Sequence, residues 1–448
     1  MRGLRSTIAL IVVLGGLGAY IYFVTWKKTP ETTSTQEKVF VGFDADKVEE
    51  LKITSDKGEV TTLKKSSGAW QLVAPVTTTA DESEASAIVN ALGQLSVSRV
   101  VDENPSDLKD YGLAMPRFEV DYKPAGATGY RRILVGDKSP TGSDLFAKRN
   151  EDKRVFLIPA AQEGTFNKST FDLRDKIVLK FERDKVDGVD VTAEGKTLQI
   201  AKDNMEWKIT QPLQARADYG SVEGLIGRLQ TTAMKSLVAE AATPEELKKY
   251  GLDKPATTVA LKMGSASATF VVGAKAEGNT VYARDASKMA VVTVDSMLAD
   301  DLKKGAGEYR RKDVFEFRPF NATRLEITRG SQTVAFERVK GEGKDAADKW
   351  RRATPTAADA DKDKMDSLLS RLSNMRATAF VDATAKTGLN APAMIVSAKY
   401  DDGKKEEKAS FGKADADVYV SKPGEPGAAK VEATDFNEAT KTLDELSK

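Results

Sequence analysis

The sequence predicts an α+β protein of three tandem repeats, each a mainly antiparallel β-sheet with two helices packed on one face, behind a single N-terminal transmembrane helix. Three observations carry this expectation. One ordered set of landmarks returns at intervals of about 140 residues. Within each copy the apolar spacing changes from two to about 3.6 and back again. Near the start, Ile8 to Val24 is an apolar run without a charge.

The run is bracketed by Arg2 and Arg5 before it and Lys27 and Lys28 after it. At about 1.5 Å per residue, a helix from Ser6 to Trp26 reaches roughly the 30 Å of a hydrocarbon core, with Trp26 at the interface. Its end, Ala19-Tyr20-Ile21-Tyr22-Phe23, is bulky where a small-x-small cleavage site belongs. Residues 1–28 therefore read as a retained signal anchor, with a cleaved signal peptide as the rival. The basic residues on the two sides favour a cytoplasmic N-terminus, leaving the bulk of the chain outside the cytoplasm. Residues 29–38 are threonine, serine, proline and charge, the composition of a solvated linker.

The three modules are expected over 39–181, 182–317 and 318–448. Each opens with an alternating strand: Leu51-x-Ile53-Thr54, Val189-x-Val191-Thr192 and Leu325-x-Ile327-Thr328. Alternation means one buried face and one wet face. A turn glycine follows (Gly58, Gly195, Gly330), then a second strand, so each module begins as a hairpin. The next strand carries Trp-x4-Pro: Trp70 and Pro75, Trp207 and Pro212, Trp350 and Pro355. In the third copy Arg351 and Arg352 replace the apolar middle. Recurrence of the tryptophans at one strand position points to an interior role, the indole N–H meeting a carbonyl, over a sugar-stacking one.

Period 3.6 then takes over in Ile88, Val89, Leu92 and Leu95, in Val222, Leu225, Ile226 and Leu229, and in Met365, Leu368, Leu369 and Leu372. Asp81, Asp218 and Asp361 precede these helices as N-caps; a metal role lacks partners at ligand spacing. A short second helix ends at Gly112, Gly251 and Gly388, each followed by leucine and, three residues on, proline. Strands resume at Phe118-x-Val120-x-Tyr122, Val259-x-Leu261-x-Met263 and Val396-x-Ala398-x-Tyr400, and lead to Gly136, Gly273 and Gly412. Strands before and after a helical insertion, without β-α-β alternation, give α+β.

Composition removes most chemistry. With 0 cysteines and 0 histidines there is no disulfide, thiolate, imidazole base or Cys/His zinc site. The 68 basic and 67 acidic residues leave no net field for a nucleic-acid backbone. No catalytic, cofactor-binding or metal-binding residue is singled out. Gly136-Asp137-Lys138-Ser139 lacks the upstream glycine of a phosphate loop and reads as a turn. Arg174/Asp175/Lys176 and Arg311/Lys312/Asp313 read as salt-bridged surface rather than a grip on an anionic ligand. Asp401 to Lys408 reads as a solvated hairpin tip.

The hairpin, Trp-x4-Pro, amphipathic helix, Tyr-Gly-Leu-x2-Pro, Val-Gly and closing Arg-Asp/Lys-Asp segments together resemble the repeated domain of the DUF4340 family, over nearly all of Val39 to Lys448. The third copy departs from it, with Thr387 for tyrosine, an insertion-like run from Lys340 to Lys349 and no closing segment. The resemblance implies a bacterial inner-membrane, single-pass protein with its C-terminal bulk in the periplasm, an accessory to ABC-2 type, gliding-motility-like export systems. The expected function is non-enzymatic: an arm docking protein partners of an export or envelope complex. A tether binding peptidoglycan or another envelope glycan, and a carboxylate-dependent hydrolase, are the alternatives. No cofactor, metal or nucleic acid is expected.

Overall fold

The computed structural model describes residues 37–341 and 348–448. The expected anchor, all but the end of the linker, and most of the Lys340 to Lys349 run lie outside these. Among the described residues no helix is long and apolar enough to cross a membrane.

The first module runs β1 (Val48–Thr54), β2 (Val60–Ser66), β3 (Ala69–Ala74), β4 (Thr78–Thr79), α1 (Glu82–Gln94) and β5 (Arg99–Asp102). It continues with β6 (Phe118–Pro124), β7 (Arg131–Lys138), β8 (Asp144–Arg149), β9 (Val155–Pro159), α2 (Glu163–Phe166) and α3 (Thr170–Leu173). The second repeats the order with β10 (Gly188–Ala193), β11 (Lys196–Asp203), β12 (Glu206–Gln211), β13 (Ala215–Arg216), α4 (Tyr219–Thr231) and β14 (Ser236–Ala239). Then come α5 (Pro244–Lys249), β15 (Thr257–Met263), β16 (Ala266–Lys275), β17 (Thr280–Asp285), β18 (Val291–Asp295), α6 (Ser296–Leu302) and α7 (Ala306–Tyr309). The third has β19 (Ala322–Arg329), β20 (Gln332–Val339), β21 (Lys349–Thr354), β22 (Ala358–Asp359), α8 (Lys362–Ser373) and β23 (Ala377–Val381). It ends with β24 (Met394–Tyr400), β25 (Lys405–Ala414), β26 (Asp417–Ser421), β27 (Ala428–Val431) and α9 (Ala433–Ser447).

Each module is one nine-stranded antiparallel sheet, and the three orders correspond strand for strand: β4-β3-β2-β1-β6-β7-β8-β9-β5, then β13-β12-β11-β10-β15-β16-β17-β18-β14, then β22-β21-β20-β19-β24-β25-β26-β27-β23. The chain divides into two compact units, the first ending at Lys176 and the second spanning Ile177–Lys448. One unit thus holds the first module and the other holds the second and third.

The alternation in the opening strands is what buries one sheet face. Leu51, Ile53, Val189, Val191, Leu325 and Ile327 are all buried, and each pair joins the helical stripe of its own module in one core. Fully burying such a side chain is worth about 1.5–3 kcal/mol. The aspartates cap as expected: Asp81 accepts from the N–H groups of Ser83 and Glu84, Asp218 from Ser221, and Asp361 from Lys364. Hairpin glycines Gly58, Gly195 and Gly330 take φ of 76°, 77° and 59°, a region that costs a Cβ-bearing residue energy.

Several expectations need correcting. The short helix α5 does not share a face with α4: Phe270 and Val272 join the α4 core, whereas Val271 between them packs with Leu247 and Leu252 around α5. Neighbouring residues of a strand point to opposite faces, so α5 covers the other side of the sheet. The helices that do accompany α4 are the closing pair α6 and α7, which contribute Leu298, Leu302 and Tyr309. In the first module the counterpart of α5 is a single 3-10 turn, Lys109–Tyr111. The strands after it align two residues away from the expected match, because Phe118, Thr257 and Met394 pair with Val135, Val272 and Phe411. An even offset leaves the buried face unchanged. Gly136, Asp137 and Lys138 are no turn; they lie in β7 at an irregularity of its pairing with β8.

Each module is entered the same way. The N–H groups of Val39, Val178 and Val314 donate to the carbonyls of Leu95, Thr232 and Met375. The carbonyls of the same valines accept from Arg149, Lys288 and Lys422, each near the turn that joins the eighth and ninth strands in chain order of its own sheet. Val178, Leu179, Val314, Phe315 and Phe317 belong to the cores of the modules they enter.

Candidate functional site

The landmark residues of the sequence are interior in every copy. Trp70, Trp207 and Trp350 are 3%, 3% and 5% exposed, so none presents a face to a ligand. Each is paired across the sheet with a cation that lies over its ring: Lys65, Lys202 and Arg338. The indole N–H of Trp207 donates to the Glu223 carboxylate at 3.1 Å, not to a carbonyl of the backbone. Pro75, Pro212 and Pro355 each follow a cis peptide bond. Gly112, Gly251 and Gly388 take φ of 65°, 68° and 70°. Opposite them, a Cβ on Gly136, Gly273 or Gly412 would collide with the carbonyl oxygen of Tyr111, Tyr250 or Thr387. These glycines let two backbones touch.

Among the described residues, a cluster of converging polar groups lies between the second and third modules, within the Ile177–Lys448 unit, in a cleft of about 750 Å³. Its walls come from distant stretches: Arg216 on β13, Glu316 on the entry segment, Tyr400 on β24, Glu407 on β25, and Lys422 and Glu425 on the loop before β27. Arg216 donates Nε to Glu425 at 2.8 Å and Nη1 to Glu316. Arg311 reaches Glu316 at 3.3 Å, and the Tyr400 hydroxyl donates to the other oxygen of Glu316 at 3.2 Å. Arg310, 5% exposed, stacks on the Phe380 ring at 3.9 Å and donates to the Pro426 carbonyl at 3.2 Å.

Glu407 is the clearest departure from the sequence reading. Placed there in a solvated hairpin tip, its side chain is 7% exposed. It accepts from the N–H groups of Glu316 and Phe317 at 2.8 Å each and pairs with Lys422 at 3.0 Å. Only residues 401–404 form the turn itself. Arg174 is likewise buried, at 6% exposure, and not surface. Lys176 pairs with Asp81 at 3.8 Å, Arg311 with Asp313 at 3.6 Å, and Lys312 with Glu308 at 3.4 Å, as salt-bridged charges should.

Protonation in the cleft follows burial and neighbours. Burial, helped by the Arg216 cation, pushes the Lys422 ammonium below its ordinary range. Burial by itself would raise Glu316, yet Arg216 and Arg311 hold it below the usual carboxylate range. Burial and the Glu316 and Glu407 carboxylates push the Tyr400 hydroxyl up. A carboxyl pair for glycoside hydrolysis needs one member kept protonated near neutrality. Glu316 is driven the opposite way, and both its oxygens and those of Glu407 already accept from protein donors. Within the cleft these groups pair with one another across the second and third modules. Among the described residues no group of three or more Asp or Glu is placed to hold a metal ion.

Arg216, Glu316, Lys422 and Glu425 carried no sequence motif, and Arg310 stood only within the closing segment from Tyr309 to Asp313. The available signal was a difference between copies: Thr79 and Asp359 stand where Arg216 does, two residues before the aspartate caps.

No curated protein matches the chain in sequence. The DUF4340 family model, described as a domain of unknown function, matches residues 70–206, 207–392 and 350–448, beginning on each of the three repeat tryptophans. With three matches that together run from Trp70 to Lys448, the chain belongs to the DUF4340 family.

Proposed function

We propose that this chain is a membrane-anchored extracytoplasmic scaffold, an arm whose repeated modules dock protein partners of an ABC-type export or envelope complex. In this reading residues 1–28 hold it in a bacterial inner membrane and the three modules stand in the periplasm. The observation that carries it is the repetition: one sheet topology occurs three times, its landmark residues interior each time. Repeated modules extend a surface, whereas an active site concentrates particular residues in one place. Near-balanced charge, 68 basic against 67 acidic residues, suits protein surfaces better than a polyanion.

Crosslinking of the full-length protein in its native membrane, followed by capture and identification of its neighbours, tests the reading. Transporter or envelope-complex subunits are the expected catch. Recovery of none, together with sedimentation of the purified modules with peptidoglycan, would replace the scaffold by a polymer-binding tether.

A further inference from the structure

We infer that Glu425 is a latch that locks the second and third modules into one rigid body. The side chain sits on the loop joining β26 to β27, where Pro423, Gly424, Pro426 and Gly427 surround it. Two arginines of the second module close on it. Arg216 donates Nε at 2.8 Å, and the Arg310 guanidinium lies at 3.5 Å while also covering Phe380 and capping the Pro426 carbonyl. A planar guanidinium holds both the position and the orientation of a carboxylate, which a single lysine contact does not.

The connecting segment is strapped down independently. Glu407 takes the N–H groups of Glu316 and Phe317, Lys422 takes the Val314 carbonyl, and Arg216 ties Glu316 back to the second module. A hinge needs a few backbone positions free to change φ and ψ. Here the residues that would serve as one have their backbone groups engaged by side chains of the third module, and the latch fixes the two bodies on either side. In sequence, Thr79 stands at the Arg216 position in the first module, and residues 286–290 between β17 and β18 carry no carboxylate. The inference goes beyond the docking proposal and needs no partner for its test.

Because the chain has 0 cysteines, spin labels can be placed without background. One pair, Lys254→Cys with Lys441→Cys, spans the two modules; a second, Thr384→Cys with Lys441→Cys, lies within the third. Distances are read by pulsed electron spin resonance on the full chain. A single narrow distance is expected for both pairs in the parent. With Arg216→Thr or Glu425→Gln the spanning pair should lose its narrow peak while the internal pair keeps it. A broad spanning distribution in the parent, or one unchanged in both variants, would overturn the latch. Broadening of both pairs alike would also overturn it, since the residues would then be holding the third module together.

Discussion

The second and third modules differ in the strand that carries the tryptophan. In β12 the position two residues after Trp207 is Ile209, fully buried and part of the core. In β21 the same position is Arg352, as its pairing with Phe336 in the manner of Ile209 with Ile200 shows. The arginine is accommodated by another difference. Where the second module closes with the short helices α6 and α7, the third closes with the 15-residue α9, and Arg352 donates to the carbonyls of Leu446 and Ser447 at its last turn. A cation there satisfies orphan carbonyls and meets the negative end of the helix dipole. The same sheet thus tolerates an aliphatic or a charged residue at one place, provided the layer above supplies the matching surface.

That comparison breaks most sharply if the arginine is moved without its helix. Ile209→Arg buries a cation with no helix end to receive it, and should cost at least about 3–5 kcal/mol, enough to unfold the second module in a denaturant titration. Wild-type stability in that variant would refute the argument. What the two modules share should matter almost as much: Trp207→Ala and Trp350→Ala should each cost about 3–5 kcal/mol. Unchanged melting of either would contradict its interior place.

The glycine contact is shared too. Gly412→Ala forces a Cβ against the Thr387 carbonyl and should cost about 1–3 kcal/mol. Gly224→Ala, in α4 with open space around its Cβ, should instead stabilise by about 0.5–1 kcal/mol. Calorimetry showing the same sign for both would remove the steric explanation. Smaller again, Arg352→Met should cost about 1 kcal/mol and speed amide exchange in the last turn of α9, with the rest of the helix unaffected.

The smallest effect is electrostatic. Glu316 is held below its ordinary value of 4.5, so its contribution is present above that value and lost as pH falls through the folded-state value beneath it. With its side chain 32% exposed, solvent screening leaves about 1 kcal/mol or less. Melting of the third module should therefore decline below pH 4.5 more steeply in the parent than in Glu316→Gln. Identical slopes would show that the carboxylate adds nothing.

Much of this was legible in the chain because it is written in local spacing. Period two in Val189 and Val191 dictates a half-buried strand, period 3.6 in Val222 to Leu229 dictates a helix, and Asp218 ahead of it satisfies amides that every helix leaves open. The face chosen by α5 was not legible, since a six-residue helix has too short an apolar pattern to say which side of a sheet it will cover. Nor was Glu407, whose neighbours in sequence are lysines and glutamates typical of a wet turn. Its burial comes from the entry segment, which brings the Glu316 and Phe317 amides to it from about 90 positions away.

By itself the sequence determined three copies of one antiparallel module, their turns and caps, and the interior place of their tryptophans, because each of these follows from interactions among near neighbours repeated in register. Only the tertiary structure decided how the second and third copies are joined. Arg216 and Glu425 lie 209 positions apart and belong to no shared motif. Their pairing exists because two finished sheets bring an edge strand and a loop together, and a contact made by completed surfaces leaves no periodic trace in the chain that forms them.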